Sequence, residues 1–211
     1  MKKRPLSALG VAWFGAGLAG PAPAATVYDE SVNGDLANTG GGPLAVLSLS
    51  AGGNDLLGTT GASASFVIDR DYVTIEVPVG LQLAALTVLP NTHVVGGDDF
   101  GQAFLGIQSG PAVTVSPVSG SPAGLLGYSH YNGNDAGSNI LPRIGAGFGA
   151  SGFSGPLGAG AYSLWIQDFN AGSSTYGFRF TLAPVPEPAT WALMVLGGGL
   201  IAGAGIRRRR V

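Results

Sequence analysis

Cysteine is absent from the 211 residues. That excludes a disulfide framework, a thiol nucleophile and metal sites built on thiolates. Charge is scarce too: only 10% of residues are charged, against about a quarter in an average domain. The only lysines are Lys2 and Lys3, so a phosphate-binding P-loop has no lysine to use. Histidine is limited to His93 and His130, and neither H-E-x-x-H nor G-x-S-x-G occurs. A long helical periodicity is also missing. What is abundant is glycine, 37 residues, beside 14 prolines, in a chain that is 45% hydrophobic. Disordered chains lack that much apolar material. The length suits one domain, in keeping with a single large β domain.

The net charge of −2 averages two populations. Between residues 25 and 185, three arginines (Arg70, Arg143, Arg179) stand against eleven acids, which leaves −8. Such a surface repels nucleic acid, whose binding depends on neutralising phosphates. It suits solvation, or a hard cation such as calcium.

The other basic residues lie at the two ends. Residues 1–24 have the grammar of a secretory signal peptide. Lys2, Lys3 and Arg4 lead an uncharged apolar run, and Ala22 and Ala24 are the small residues that signal peptidase needs, with cleavage expected after Ala24. At the other end, residues 189–206 form an uncharged, mostly apolar stretch followed by Arg207, Arg208, Arg209 and Arg210. As a helix, eighteen residues span about 27 Å, just enough for a bilayer core. The four arginines resist translocation and would hold this end in the cytoplasm with the domain outside.

Immediately before the apolar stretch stand Val185, Pro186, Glu187 and Pro188. A Pro-Glu-Pro motif, an apolar span and a terminal arginine cluster together resemble the PEP-CTERM sorting signal of Gram-negative bacteria that make exopolysaccharide. The resemblance covers residues 185–211. It implies recognition by exosortase at the inner membrane, removal of the tail, and a mature protein at the cell surface or in the extracellular matrix. An ordinary tail anchor is the alternative. The expected organisation is thus signal peptide 1–24, folded domain 25–184 and sorting signal 185–211.

Within the domain the apolar period is two. Val73, Ile75 and Val77 share one strand face; Tyr176, Phe178, Phe180 and Leu182 share another, with Arg179 and Thr181 opposite. A third strong strand covers residues 162–166. Weaker strands are expected at 44–49, 63–68, 83–89, 104–108 and 112–115. Gly- and Pro-rich runs, including one at 52–55, are read as turns. A short helix is expected from Asp135 to Ile140, ahead of Pro142, within a long irregular excursion over 120–153. Many short strands with frequent punctuation predict an all-β, antiparallel, jelly-roll-like sandwich. Residues 68–80, with 160–166 and 176–180, also resemble stretches of bacterial pre-peptidase C-terminal-type β-sandwich domains. These are secreted accessory modules, some of which bind calcium, polysaccharide or protein fibres.

Three candidate sites follow. Asp29, Glu30, Asn33 and Asp35 fall in one loop, and Asp69 and Asp71 flank a turn. Folded together, Glu30, Asn33, Asp35, Asp69 and Asp71 would offer oxygens to calcium, which takes six to eight of them; solvated turn acids are the alternative. Asp98 and Asp99 read as a separate exposed pair. Residues 52–58 resemble one copy of a calcium nonapeptide, which works only in tandem, and are read as a hairpin turn. Tyr128, His130 and Tyr131 in the Gly-rich excursion form a candidate aromatic sugar platform, with core packing as the alternative. Catalysis has little material. Adjacent Ser129 and His130 point to opposite faces of an extended chain, and the G-x-G-x-x-G at 147–152 lacks a strand–helix setting. The expected role is therefore a non-enzymatic envelope or matrix protein associated with exopolysaccharide or biofilm. A calcium- or polysaccharide-binding module comes second and a secreted hydrolase third.

Overall fold

The structure is a computed structural model that describes residues 23–65, 67–96 and 102–186. Residues 1–22, Ala22 among them, the Asp98–Asp99 pair, Glu187, Pro188, the apolar span 189–206 and Arg207 to Arg210 lie outside the described residues.

The period-two segments are strands. β4 (Ile68–Val77), β8 (Gly160–Gln167) and β9 (Gly172–Pro184) are the strongest, joined by β1 (Ala25–Asp29), β2 (Ala45–Ser48), β3 (Gly52–Ala62), β5 (Leu81–Val88), β6 (Ala103–Ser109) and β7 (Gly127–Tyr131). They form one curled sheet whose halves fold face to face. One half runs β1-β3-β9-β5, the other β2-β4-β8-β6-β7. The two inner faces share one core. Phe178, Phe180, Leu56 and Leu86 from the first half meet Val73, Ile75, Leu105 and Ile166 from the second, all fully or nearly fully buried. Apolar burial at about 25 cal/mol per Å² makes this the main stabilising term. Val73, Ile75 and Val77 point inward as the alternation requires, and so do Tyr176, Phe178, Phe180 and Leu182.

The sheet is not purely antiparallel. β1 pairs with β3, and β2 with β4, in parallel. Neither pair is joined by a hairpin. After β1 the chain makes α1 (Glu30–Asn33) and a long loop before β2, and long connections of that kind permit parallel pairing.

Other local expectations are corrected. Residues 52–58 are not a hairpin turn but the first part of β3, an eleven-residue strand paired with β9 along its length. Residues 63–65 and 67 are not strand: the Ser63 hydroxyl accepts from the Ser65 and Val67 amides and bends the chain ahead of β4. Residues 112–115 form no strand; they are loop, with Val113 buried on the outer face. The helix expected over 135–140 is replaced by a 3₁₀ turn, Gly133–Asp135, and by α2 (Leu141–Gly145). Pro142 lies in the first turn of α2, where its missing N–H costs nothing. The 120–153 excursion is therefore organised, and it contributes β7 to the sheet.

Register places both ends of the domain together. Ala25 aligns with Asn54 on one side of β3, and Leu182 aligns with Gly52 on the other. β1 begins and β9 ends at the same pole of the sandwich.

Candidate functional site

The acidic loop does fold against the start of β4. Oxygens of Glu30, Asp35 and Asp71 all lie within 4.8 Å of one another. Glu30 is fixed by its position at the start of α1. Its carboxylate accepts from the amides of Thr59 at 2.7 Å and Leu36 at 3.2 Å. Asp71 comes from β4, is fully buried, and neither of its oxygens has a hydrogen-bond partner. The Tyr176 hydroxyl on β9 is buried without a partner as well. It lies near enough to ease the Asp71 charge in part, but the two do not complete a hydrogen bond. Gly58 keeps the pocket open: a Cβ there would collide with the Tyr176 hydroxyl and stand 2.8 Å from Glu30 Cδ.

The electrostatics are uncompensated. Burial, then the Glu30 charge beside it, pushes the Asp71 carboxyl up to about 9. Glu30 is also raised, by burial and then by Asp35, against the pull of its backbone hydrogen bonds. The three arginines of the described residues are engaged elsewhere. Arg70 donates to Gln167, Arg143 to Asp135, and Arg179 to Asp55. Oxygens bound to one ion at about 2.4 Å are at most about 4.8 Å apart. The cluster meets that limit, and an orphaned buried carboxylate is the group a hard divalent cation would satisfy.

The remaining residues expected at this site are turned to other bonds. Asn33 Oδ1 accepts from the Asp29 amide. The Asp29 side chain caps α1 by accepting from Ser31. Asp69 Oδ1 accepts from Asn38 Nδ2. Tyr176 and Gly58 were missed. The alternation of β9 marks Tyr176 as inward-facing, but nothing local to its sequence pairs it with Asp71.

The aromatic trio is divided by the same alternation. Tyr131 is buried in the core against Phe178, with ring centroids 4.9 Å apart. Tyr128 and His130 lie on the opposite face, each against Phe104. Ser129 Oγ donates to the His130 carbonyl and accepts from Arg143 Nε, so the His130 ring does not engage it.

The tail joins the fold without a spacer. β9 ends at Pro184, and the next residue still bonds the sheet through Val185 N–H to the Gly80 carbonyl at 3.0 Å. Residues 184–210 match the family model described as the PEP-CTERM protein-sorting motif. The chain carries a PEP-CTERM sorting motif. That motif implies export, processing by exosortase at the cell envelope and an extracellular destination for the PEP-CTERM chain. Among curated proteins and solved structures, none matches it significantly.

Proposed function

We propose that this PEP-CTERM protein is a non-enzymatic component of the envelope or extracellular matrix of a Gram-negative bacterium. In this reading signal peptidase trims it, the apolar tail arrests it in the inner membrane, and exosortase removes the tail. The product works among exopolysaccharide or biofilm. The observation that carries the reading is the sorting motif beginning on the last residue of a sandwich strand. The domain and its sorting handle are thereby one continuous unit. The intact mass of the protein from its own host tests it. A species starting near Ala25 and ending within residues 185–188 is expected, with any surplus mass reporting an attached group. A mass running to Val211 overturns the exosortase reading.

A second reading is favoured by the Glu30–Asp35–Asp71 cluster: the domain binds calcium there. The orphaned, buried Asp71 carboxylate supports it. At a calcium concentration about a hundred times its Kd, the fold gains about 2.7 kcal/mol, or a melting temperature higher by about 5–10 °C. An identical melt in calcium and in EGTA sinks this reading.

A further inference from the structure

The outer face of a sandwich sheet usually carries polar side chains. Here four strands present rings instead. Tyr72 stacks on Trp165 at 6.1 Å between centroids, Trp165 meets Phe104 at 4.8 Å, and Phe104 stacks on Tyr128 at 5.7 Å. The Tyr128 hydroxyl is tied to the Phe148 carbonyl at 3.1 Å, which holds its ring in place. The loop before β7 covers part of this face, burying Val113 and Leu125 against it. It leaves a cleft of about 210 Å³ between its Ser116, Ser119 and Ser121 lip and the rings of Phe104, Tyr128 and Trp165. Phe169 lines the cleft while 52% exposed.

Gln167 supplies the deciding detail. It lines the cleft and is only 2% exposed. Trp165 Nε1 and Arg70 Nε both donate to its Oε1, each at 3.0 Å. Those two nitrogens can only donate, so the amide's orientation is fixed by chemistry. Its Nε2 is left with two donors and no acceptor among the described residues. Nε2 is not shut off from solvent, so these donors are open to a partner seated in the cleft. Among the described residues, none that lines the cleft is charged.

We propose that this cleft binds one uncharged sugar ring of a polysaccharide. The apolar C–H face of the ring lies on the aromatic side chains, a ring or hydroxyl oxygen accepts from Gln167 Nε2, and the serine lip meets the remaining hydroxyls. Clefts for drug-sized ligands run to about 300–1,000 Å³, so this one takes a single residue of a chain that continues into solvent. The absence of lining charge favours a neutral glycan over an acidic one. The proposal deepens the matrix reading and rests on it only in that glycan must be present where the exported domain works.

The test uses the full-length chain in a detergent without a sugar headgroup. It is titrated calorimetrically with dextran, galactomannan and a soluble β-glucan, and with a polyproline peptide as the other flat occupant. Binding to at least one neutral polysaccharide is expected, weakened about tenfold or more by Phe169→Ala and by Gln167→Glu. Gln167→Glu keeps the oxygen that Trp165 and Arg70 need and replaces only the donors. Phe169 is exposed, so Phe169→Ala still decides if the other variant fails to fold. The proposal is overturned by no binding to any of the three glycans, by binding unchanged in both variants, or by binding of polyproline alone. A trimmed tail without glycan binding removes the cleft and leaves sorting intact. Glycan binding by a chain whose host mass runs to Val211 does the reverse.

Discussion

Among single side chains, Asp71 is held far from its ordinary chemistry. In the folded protein without a cation, its carboxyl keeps a proton up to about pH 9, whereas an unfolded Asp loses it near about pH 3.9. Across that window the folded state binds the extra proton, so stability is greatest below it and falls as pH rises. Glu30 is shifted in the same direction. In EGTA the melting temperature is therefore expected to fall from roughly pH 5 to roughly pH 9, with Asp71→Asn flattening the decline. An unaltered slope in that variant would place the effect elsewhere. Gly58 is the steric counterpart. Gly58→Ala drives a methyl into the Tyr176 hydroxyl and the Glu30 side chain, at an expected cost of about 1–3 kcal/mol in urea unfolding and with a weaker calcium response. The acids themselves were readable in the sequence, because loop carboxylates announce themselves. The selection of Glu30, Asp35 and Asp71 was not, because it depends on β4 burying Asp71 beside a loop that comes well before it in the chain.

Among the elements, β3 shows where local reading ends. Its sequence, rich in Gly and interrupted by Asn54 and Asp55, has turn composition. Pairing from both sides overrides it, with β9 along one edge and β1 along the other. Asn54 is fully buried: its Oδ1 accepts from the Ser50 amide and its Nδ2 donates to the carbonyls of Ser50 and Phe180. Asn54→Ala orphans these groups, and a loss of about 3 kcal/mol is expected in urea unfolding; a loss under about 1 kcal/mol would show that water replaces the amide. β4, β8 and β9 were legible because their sustained alternation leaves no competing reading. The same rule, applied to β7, separates Tyr131 from Tyr128 and His130. Applied to β8, it sends Trp165 and Gln167 to the face opposite Leu164 and Ile166. An aromatic ring on the outward face was the available sign of the cleft. Pro142 was misread because proline ends helices from within but starts them at the first turn.

For the whole molecule, the shared pole of β1 and β9 sets orientation. Both hydrophobic segments attach there, beside the Val77–Leu81 turn, whose Val79 is 94% exposed. The Asp71 end of β4 and the bend at 63–65 lie toward the opposite pole. In the membrane-held precursor that we propose, the far pole would therefore face outward. An epitope inserted between Ala64 and Ser65 is expected to be stained on intact spheroplasts before the tail is cut, and one inserted between Val79 and Gly80 to be shielded. Equal staining would mean that the domain swings free of the bilayer.

The direct junction of β9 with the sorting tail also decides how the domain bears load. Under the proposed matrix role, a domain held by its carboxyl end would feel drag through that strand first. β9 lies between β3 and β5, antiparallel to both, with hydrogen bonds running across the line of pull. Tension along it is shared by both ladders in shear, and the hydrogen bonds do not open one at a time. The strand that leads into the sorting motif is thus braced on both sides against tension from the tail.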